Sequence, residues 1–154
     1  MNETIVVGYD GSDGAELALE RAAGLAEVFD STVIVVVVEQ LVAAAASPIS
    51  IGMGEVPVLP LEPMERGWSR ELQIERAREV LDARGVRFEV DSPLGDAALE
   101  LVDVAEARDA DLIVVGSNES GLLERIFGGS VSGEVARKAS CDVLVVHQKS
   151  ATTG

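Results

Sequence analysis

Cations, aromatics and sulfur are scarce in this chain, and each scarcity narrows what it can do. Twelve lysines and arginines stand against 27 acids, for a net charge of −15. Neutralising phosphates takes clustered Lys and Arg, so nucleic acid is excluded as a partner, and so is an anionic membrane surface. Aromatic residues make up 3%, so the core has to be built from Val, Leu, Ile and Ala, which favours α/β layers over an aromatic-rich β-barrel. The single cysteine, Cys141, cannot form an internal disulfide and fits a reduced compartment. No apolar run approaches the roughly 20 residues of a membrane span. The opening MNETIVVGYD lacks the basic start of a signal peptide and carries Asp10 where an apolar region would be needed. A cytoplasmic protein is expected.

What is present is globular: 154 residues, 47% of them hydrophobic, enough for one domain that buries roughly 70% of its unfolded surface. One domain is predicted over 1–149, with a frayed polar tail at 150–154. Thr4 to Gly8 (TIVVG) is an apolar run ending in a turn, and Asp13 with Glu16 supplies an N-cap and an N3 acid for the next helix. Ala15, Leu19, Ala22, Ala26 and Phe29 then step by 4, 3, 4 and 3, one helical face. Val33 to Val38 is six β-branched residues without alternation, as in a strand covered on both faces.

Leu41 to Trp68 interrupts the pattern with four of the five prolines and several glycines. It reads as a long loop, with one helical turn at Val42 to Ala46, serving as a lid, a partner-binding segment or a variable insertion. Ser69 to Arg84 resumes as an amphipathic helix with Leu72, Ile74, Ala77, Val80 and Leu81 inward and Gly85 as its C′ residue. Val86, Phe88 and Val90 alternate with charges, which predicts an edge strand. Gly95 to Ala107 is a third helix, Asp111 to Val115 a fourth strand, Val131 to Ala139 a short helix opened by Ser130, and Asp142 to His147 a fifth strand.

Right-handed crossovers turn this order into an open five-stranded parallel sheet, order 3-2-1-4-5, with helices on both faces. Ligands of such sheets sit beyond the carboxyl ends of strands one and four, where the winding reverses. The Gly8–Ser12 turn falls there, and so does Gly116 to Ser132, which carries four glycines between a strand and a helix. Free backbone N–H groups and a helix dipole make that stretch an anion site, or else a connection with an N-cap serine.

Several nucleotide motifs fail. There is no Gly-x4-Gly-Lys-Ser/Thr, and the only lysines, Lys138 and Lys149, lie outside both glycine loops. Gly8, Gly11 and Gly14 with Glu39 have the wrong spacing for a dinucleotide fingerprint. A phosphoacceptor receiver would carry paired acids after strand one and a lysine after strand five, but Asp10 stands without an acidic neighbour and strand five ends in His147. His147 reads as a solvated strand end and Cys141 as a small packed residue, and neither makes a metal site.

Taken together, Ile5-Val-Val-Gly-Tyr-Asp10-Gly-Ser12, Asp111-Leu-Ile-Val-Val-Gly116, Gly129-Ser-Val-Ser132 and Asp142-Val-Leu-Val-Val146 resemble the universal stress protein family. The resemblance spans nearly all of the chain outside Leu41 to Trp68. It implies an adenine nucleotide alpha-hydrolase-like fold. The ATP-binding members carry Gly-x2-Gly-x9-Gly-Ser/Thr after the fourth strand, and Gly116 and Gly129-Ser130 match its ends. By the resemblance, Asp10 contacts the adenosine end and Val38 the adenine, while Gly116, Asn118, Gly129, Ser130, Val131 and Ser132 line the ribose and phosphates of ATP or AMP. Arg125 offers a positive charge or pairs with a neighbouring acid.

The middle motif position is Glu119 instead of glycine. A non-glycine residue forced left-handed costs about 1–2 kcal/mol. A carboxylate about 4 Å from a phosphate charge costs on the order of 4 kcal/mol at an effective dielectric of about 20. Glu119 therefore weakens the implied site unless its side chain turns to solvent or meets the phosphates through Mg2+. ATP hydrolysis, if any, is expected to be slow, since no general base or lysine stands near the loop. Two readings follow: a stress-response module that binds an adenine nucleotide, and a dimeric regulatory protein that binds protein partners and no nucleotide. A homodimer through strand five is expected in either, because Val143 to Val146 is an edge without charge.

Overall fold

Five short strands of β-branched residues set the frame. The computed structural model describes residues 3–39, 63–117 and 131–147, with the side chains of 63–69 left aside. Its order is β1 (Thr4–Gly8), α1 (Asp13–Phe29), β2 (Thr32–Val36), α2 (Pro63–Arg84), β3 (Arg87–Asp91), α3 (Ala97–Ala107), β4 (Leu112–Gly116), α4 (Val131–Lys138) and β5 (Asp142–Val146). Every neighbouring pair is parallel, in the order β3-β2-β1-β4-β5. In register, Ile5 lies between Val33 and Leu112. The strands without alternation, β1, β2 and β4, are the central ones, as their two-sided apolar character requires.

Alternation along β1 sorts the two faces. Ile5, Val7 and Tyr9 pack with α1 and α2, in a core that includes Ala15, Ala18, Leu19, Ala22, Ala77 and Leu81. Val6 points the other way, into a core with Leu101, Val104, Ile113 and Val135 of α3, β4 and α4. Alanine dominates the buried stripe of α1, which lets that helix lie close to the sheet.

Several local expectations are corrected. The N-cap of α1 is Ser12, not Asp13: Ser12 is extended and its Oγ accepts from the Ala15 N–H, so Asp13 becomes the first helical residue. Phe29 is 54% exposed, because the helix ends at once in left-handed Asp30 and its last side chain clears the sheet. Pro63 to Trp68 belongs to α2 and not to the loop. Proline suits a first helical turn, where its missing N–H costs nothing. Leu72 is 45% exposed, since it stands off the stripe formed by Ile74, Ala77 and Leu81. Gly85 does close α2 with φ +68.

Boundaries moved for hydrogen-bonding reasons. β2 stops at Val36 instead of Val38, because Pro93 on the neighbouring chain segment has no N–H to donate. Pairing resumes only at Glu39, which donates to the Pro93 carbonyl and accepts from the Gly95 N–H. Asp96 caps α3 by accepting from Leu99, so the helix begins at Ala97 and not Gly95. β4 runs one residue later than expected, from Leu112 to Gly116. α4 ends at Lys138, one residue short of the expected Ala139, and β5 ends at Val146, before His147. The possible turn at Val42 to Ala46 and the tail at 150–154 lie outside the described residues.

Candidate functional site

The carboxyl ends of β1 and β4 open a crevice where the chain winds outward in both directions. Its floor is set by a contact between backbones. A Cβ on Gly116 would meet the Gly14 carbonyl oxygen well inside van der Waals contact, and a Cβ on Gly14 would stand 3.0 Å from the Ser117 carbonyl. Only two glycines let the first turn of α1 lie directly on the end of β4.

The turn after β1 is held by its own polar groups. Asp10 is exposed, and its Oδ1 accepts from the Ser12 N–H at 2.9 Å, while Ser12 caps α1. Tyr9 is 3% exposed. Its N–H donates to the Val36 carbonyl, and its hydroxyl donates to Glu16 Oε1 at 2.5 Å. Arg76 of α2 donates from Nε to the same oxygen at 3.3 Å. Burial first, and then the hydrogen bond and charge of Glu16, hold the Tyr9 phenol above its ordinary range.

At the end of β2, Val38 is half-buried against the α3 side of the core, and Glu39 pairs with Arg70 of α2. At the end of β4, Ser117 donates its N–H to the Val146 carbonyl. Its Oγ is buried and has no hydrogen-bond partner among the described residues, as is also true of Ser31 before β2. α4 begins with exposed Val131 and buried Ser132. Asp10, Val38, Gly116, Val131 and Ser132 thus all stand at strand carboxyl ends or at the start of α4. Asn118, Gly129 and Ser130, together with Glu119 and Arg125, lie outside the described residues. Tyr9 and Ser117 lie within the Gly8–Ser12 and Gly116–Ser132 stretches of the sequence reading without being singled out there, and Arg76 had no part in it. A lone tyrosine closing an apolar strand was the available signal, because a buried phenol needs a partner.

Elsewhere the chemistry is sparse. No group of three or more His, Cys, Asp or Glu residues that could hold a metal ion occurs among the described residues. Cys141 is partly buried, and burial pushes its thiol up, away from a reactive thiolate. His147 is exposed beside an open groove of about 830 Å3 along α1, which Leu17, Arg21 and Val146 also line. No described helix is long and apolar enough to cross a membrane.

Comparison with known proteins bears on this arrangement. The model of the universal stress protein family matches residues 1–147. The chain belongs to the universal stress protein family. Stress response protein NhaX of Bacillus subtilis is 32% identical, over 94% of this chain and 97% of its own length. Universal stress protein MJ0531 of Methanocaldococcus jannaschii is 34% identical, over 92% of this chain and 80% of its own. A crystal structure of a universal stress protein in complex with cAMP superposes with a TM-score of 0.71 at 27% identity, covering 95% of this chain and 97% of the other. In this universal stress protein, Gly116 has a packing reason of its own, independent of any ligand.

Two outcomes follow. Gly116→Ala should lower unfolding stability by about 1–3 kcal/mol without any ligand present, as read by urea denaturation; an unchanged midpoint would contradict the close contact. Tyr9 is the only tyrosine, so the ultraviolet absorbance change on phenolate formation reports it alone. Its raised pKa means that the folded state keeps a proton the unfolded state releases. The stabilisation is complete below about pH 10 and is lost as pH rises further. The folded protein should show little phenolate at about pH 10.5; half-ionisation near the ordinary value would contradict it.

Proposed function

We propose that this universal stress protein binds an adenine nucleotide, ATP or AMP, in the crevice between β1 and β4. The observation that carries the reading is the buried hydroxyl of Ser117, without a partner among the described residues, at the mouth where the two strand ends meet. A buried polar atom without a partner is costly unless something that binds there completes it. Asp10, with one oxygen on the Ser12 N–H, offers the other to a ribose hydroxyl. Val38 supplies an apolar surface for the base. Gly116, Asn118, Gly129, Ser130, Val131 and Ser132 line the ribose and phosphates, with Val131 and Ser132 at the positive end of α4. The relative solved with cAMP, at 27% identity, supports an adenine ligand of this size.

Glu119 sets the preference. A carboxylate at the middle glycine of the motif repels the outer phosphates of ATP and leaves a monophosphate less affected, so AMP is the favoured ligand unless Mg2+ screens the charge. Calorimetric titration checks this. Glu119→Gly should raise ATP affinity by at least about tenfold, or 1.4 kcal/mol, and AMP affinity by less. Glu119→Gln separates charge from backbone geometry. Equal absence of ATP and AMP binding in all three proteins would favour the second reading, a dimeric interaction protein without nucleotide.

The two sheet edges support a dimer in either case. β3 displays Arg87 and Glu89, each engaged in an ion pair, with Asp30 and Arg108, a guarded edge. β5 presents Val143, Leu144 and Val145, all half-buried and uncharged, and such an edge invites pairing with another strand. Two copies pairing β5 antiparallel about a two-fold axis satisfy it. Light scattering at micromolar concentration should give twice the chain mass of 16.1 kDa; a monomer would overturn the assembly.

A further inference from the structure

We infer that Glu16 is a positioning residue for the Asp10 turn, acting through the Tyr9 hydroxyl and tying that turn to α2. The inference deepens the nucleotide reading and rests on it. Tyr9 is the last residue of β1's apolar alternation before the turn, and it is held at both ends: its N–H by the Val36 carbonyl and its hydroxyl by Glu16 Oε1. Asp10 follows directly, with its side chain folded onto the Ser12 N–H. The path of Asp10 is therefore fixed between an anchored ring and a helix cap.

Glu16 is well placed to do this because one oxygen receives two donors from different elements. Tyr9 comes from β1 and Arg76 from α2. Two further contacts seat the same part of α2 over the mouth. Arg70 pairs with Glu39, next to Val38, and a Cβ on Gly11 would stand 3.2 Å from the Gln73 side chain. At the far end of the same helix pair, Arg84 bridges to Glu20 and Glu27 of α1. That second junction holds α2 on α1 without touching the turn, so it separates a general loosening of α2 from loss of the Tyr9 anchor.

The acceptor, and not the charge, is what the anchor requires. Gln at position 16 keeps a carbonyl oxygen for the phenol, whereas Ala removes it. AMP affinity, measured by calorimetry on the intact 154-residue chain together with the thermal midpoint, tests the role. Tyr9→Phe and Glu16→Ala should each weaken AMP binding by about tenfold, since small misplacement of a positioning group carries a cost of this size. Glu16→Gln should retain affinity within about threefold, and Arg84→Ala should retain it even where its thermal midpoint falls. If the wild type binds AMP and Tyr9→Phe binds equally well, the positioning role is overturned while the nucleotide site stands. The same holds if Glu16→Gln is as weak as Glu16→Ala, or if Arg84→Ala loses as much as Glu16→Ala. A wild type that binds no AMP overturns both. Should Glu16→Ala fail to fold, Tyr9→Phe and Glu16→Gln still decide the matter.

Discussion

The close passage of Gly14 over Gly116 is the constraint on which the mouth of this universal stress protein depends. On its way from β1 to β2, the first helix lies against β1 and the neighbouring strand β4. How near it approaches decides how narrow the crevice at the strand ends becomes. With two glycines the backbones touch, and the amino end of α1 sits on the floor of the site. Side chains at either position would lift α1, and the Ser12 cap, the Asp10 turn and the Tyr9 anchor would move with it, because all of them are tied to that helix.

The two faces of the sheet carry different duties. On one face, α1 and α2 form a layer with an alanine-rich seam, joined at its margin by arginine–glutamate pairs. These pairs are largely exposed and each contributes little to stability. Their effect is to fix where α2 lies against the mouth. The other face is apolar, closed by α3 and α4. The polar connections that shape the turn are thus concentrated on the α1 and α2 side, while the α3 and α4 side supplies the apolar backing of Val38.

Much of this was legible in the sequence, because hydrophobic period and topology rules are strong where strands are buried on both faces. The uninterrupted Val and Ile runs located β1, β2 and β4, and alternation located β3, so the strand order followed. Errors came where a single hydrogen-bonding group decides a boundary. Pro93 ended the β2 ladder early, Pro63 let α2 begin inside the expected loop, and Ser12 took the cap assigned to Asp13. The end of β1 and the start of α4 could be anticipated from the glycine pattern, whereas β2 ended two residues early and β4 one residue late. The Tyr9–Glu16–Arg76 cluster could not, since its members are far apart in sequence and Glu16 reads locally as a helix-start acid. The Gly14 and Gly116 contact was equally hidden: each glycine has a familiar local explanation, and only the fold brings them together.

In the proposed nucleotide complex, the β1 and β4 strand ends, joined over these glycines, form the ligand site. Amide chemical-shift mapping of labelled protein titrated with AMP tests it most directly. Shifts should concentrate at Gly8 to Ser12, Gly116 to Ser117 and Val131 to Ser132, with little change at the opposite ends of the strands, near Ser31 and Ala110. Shifts centred on the groove along α1 or on those opposite ends, or none at saturating AMP, would contradict it.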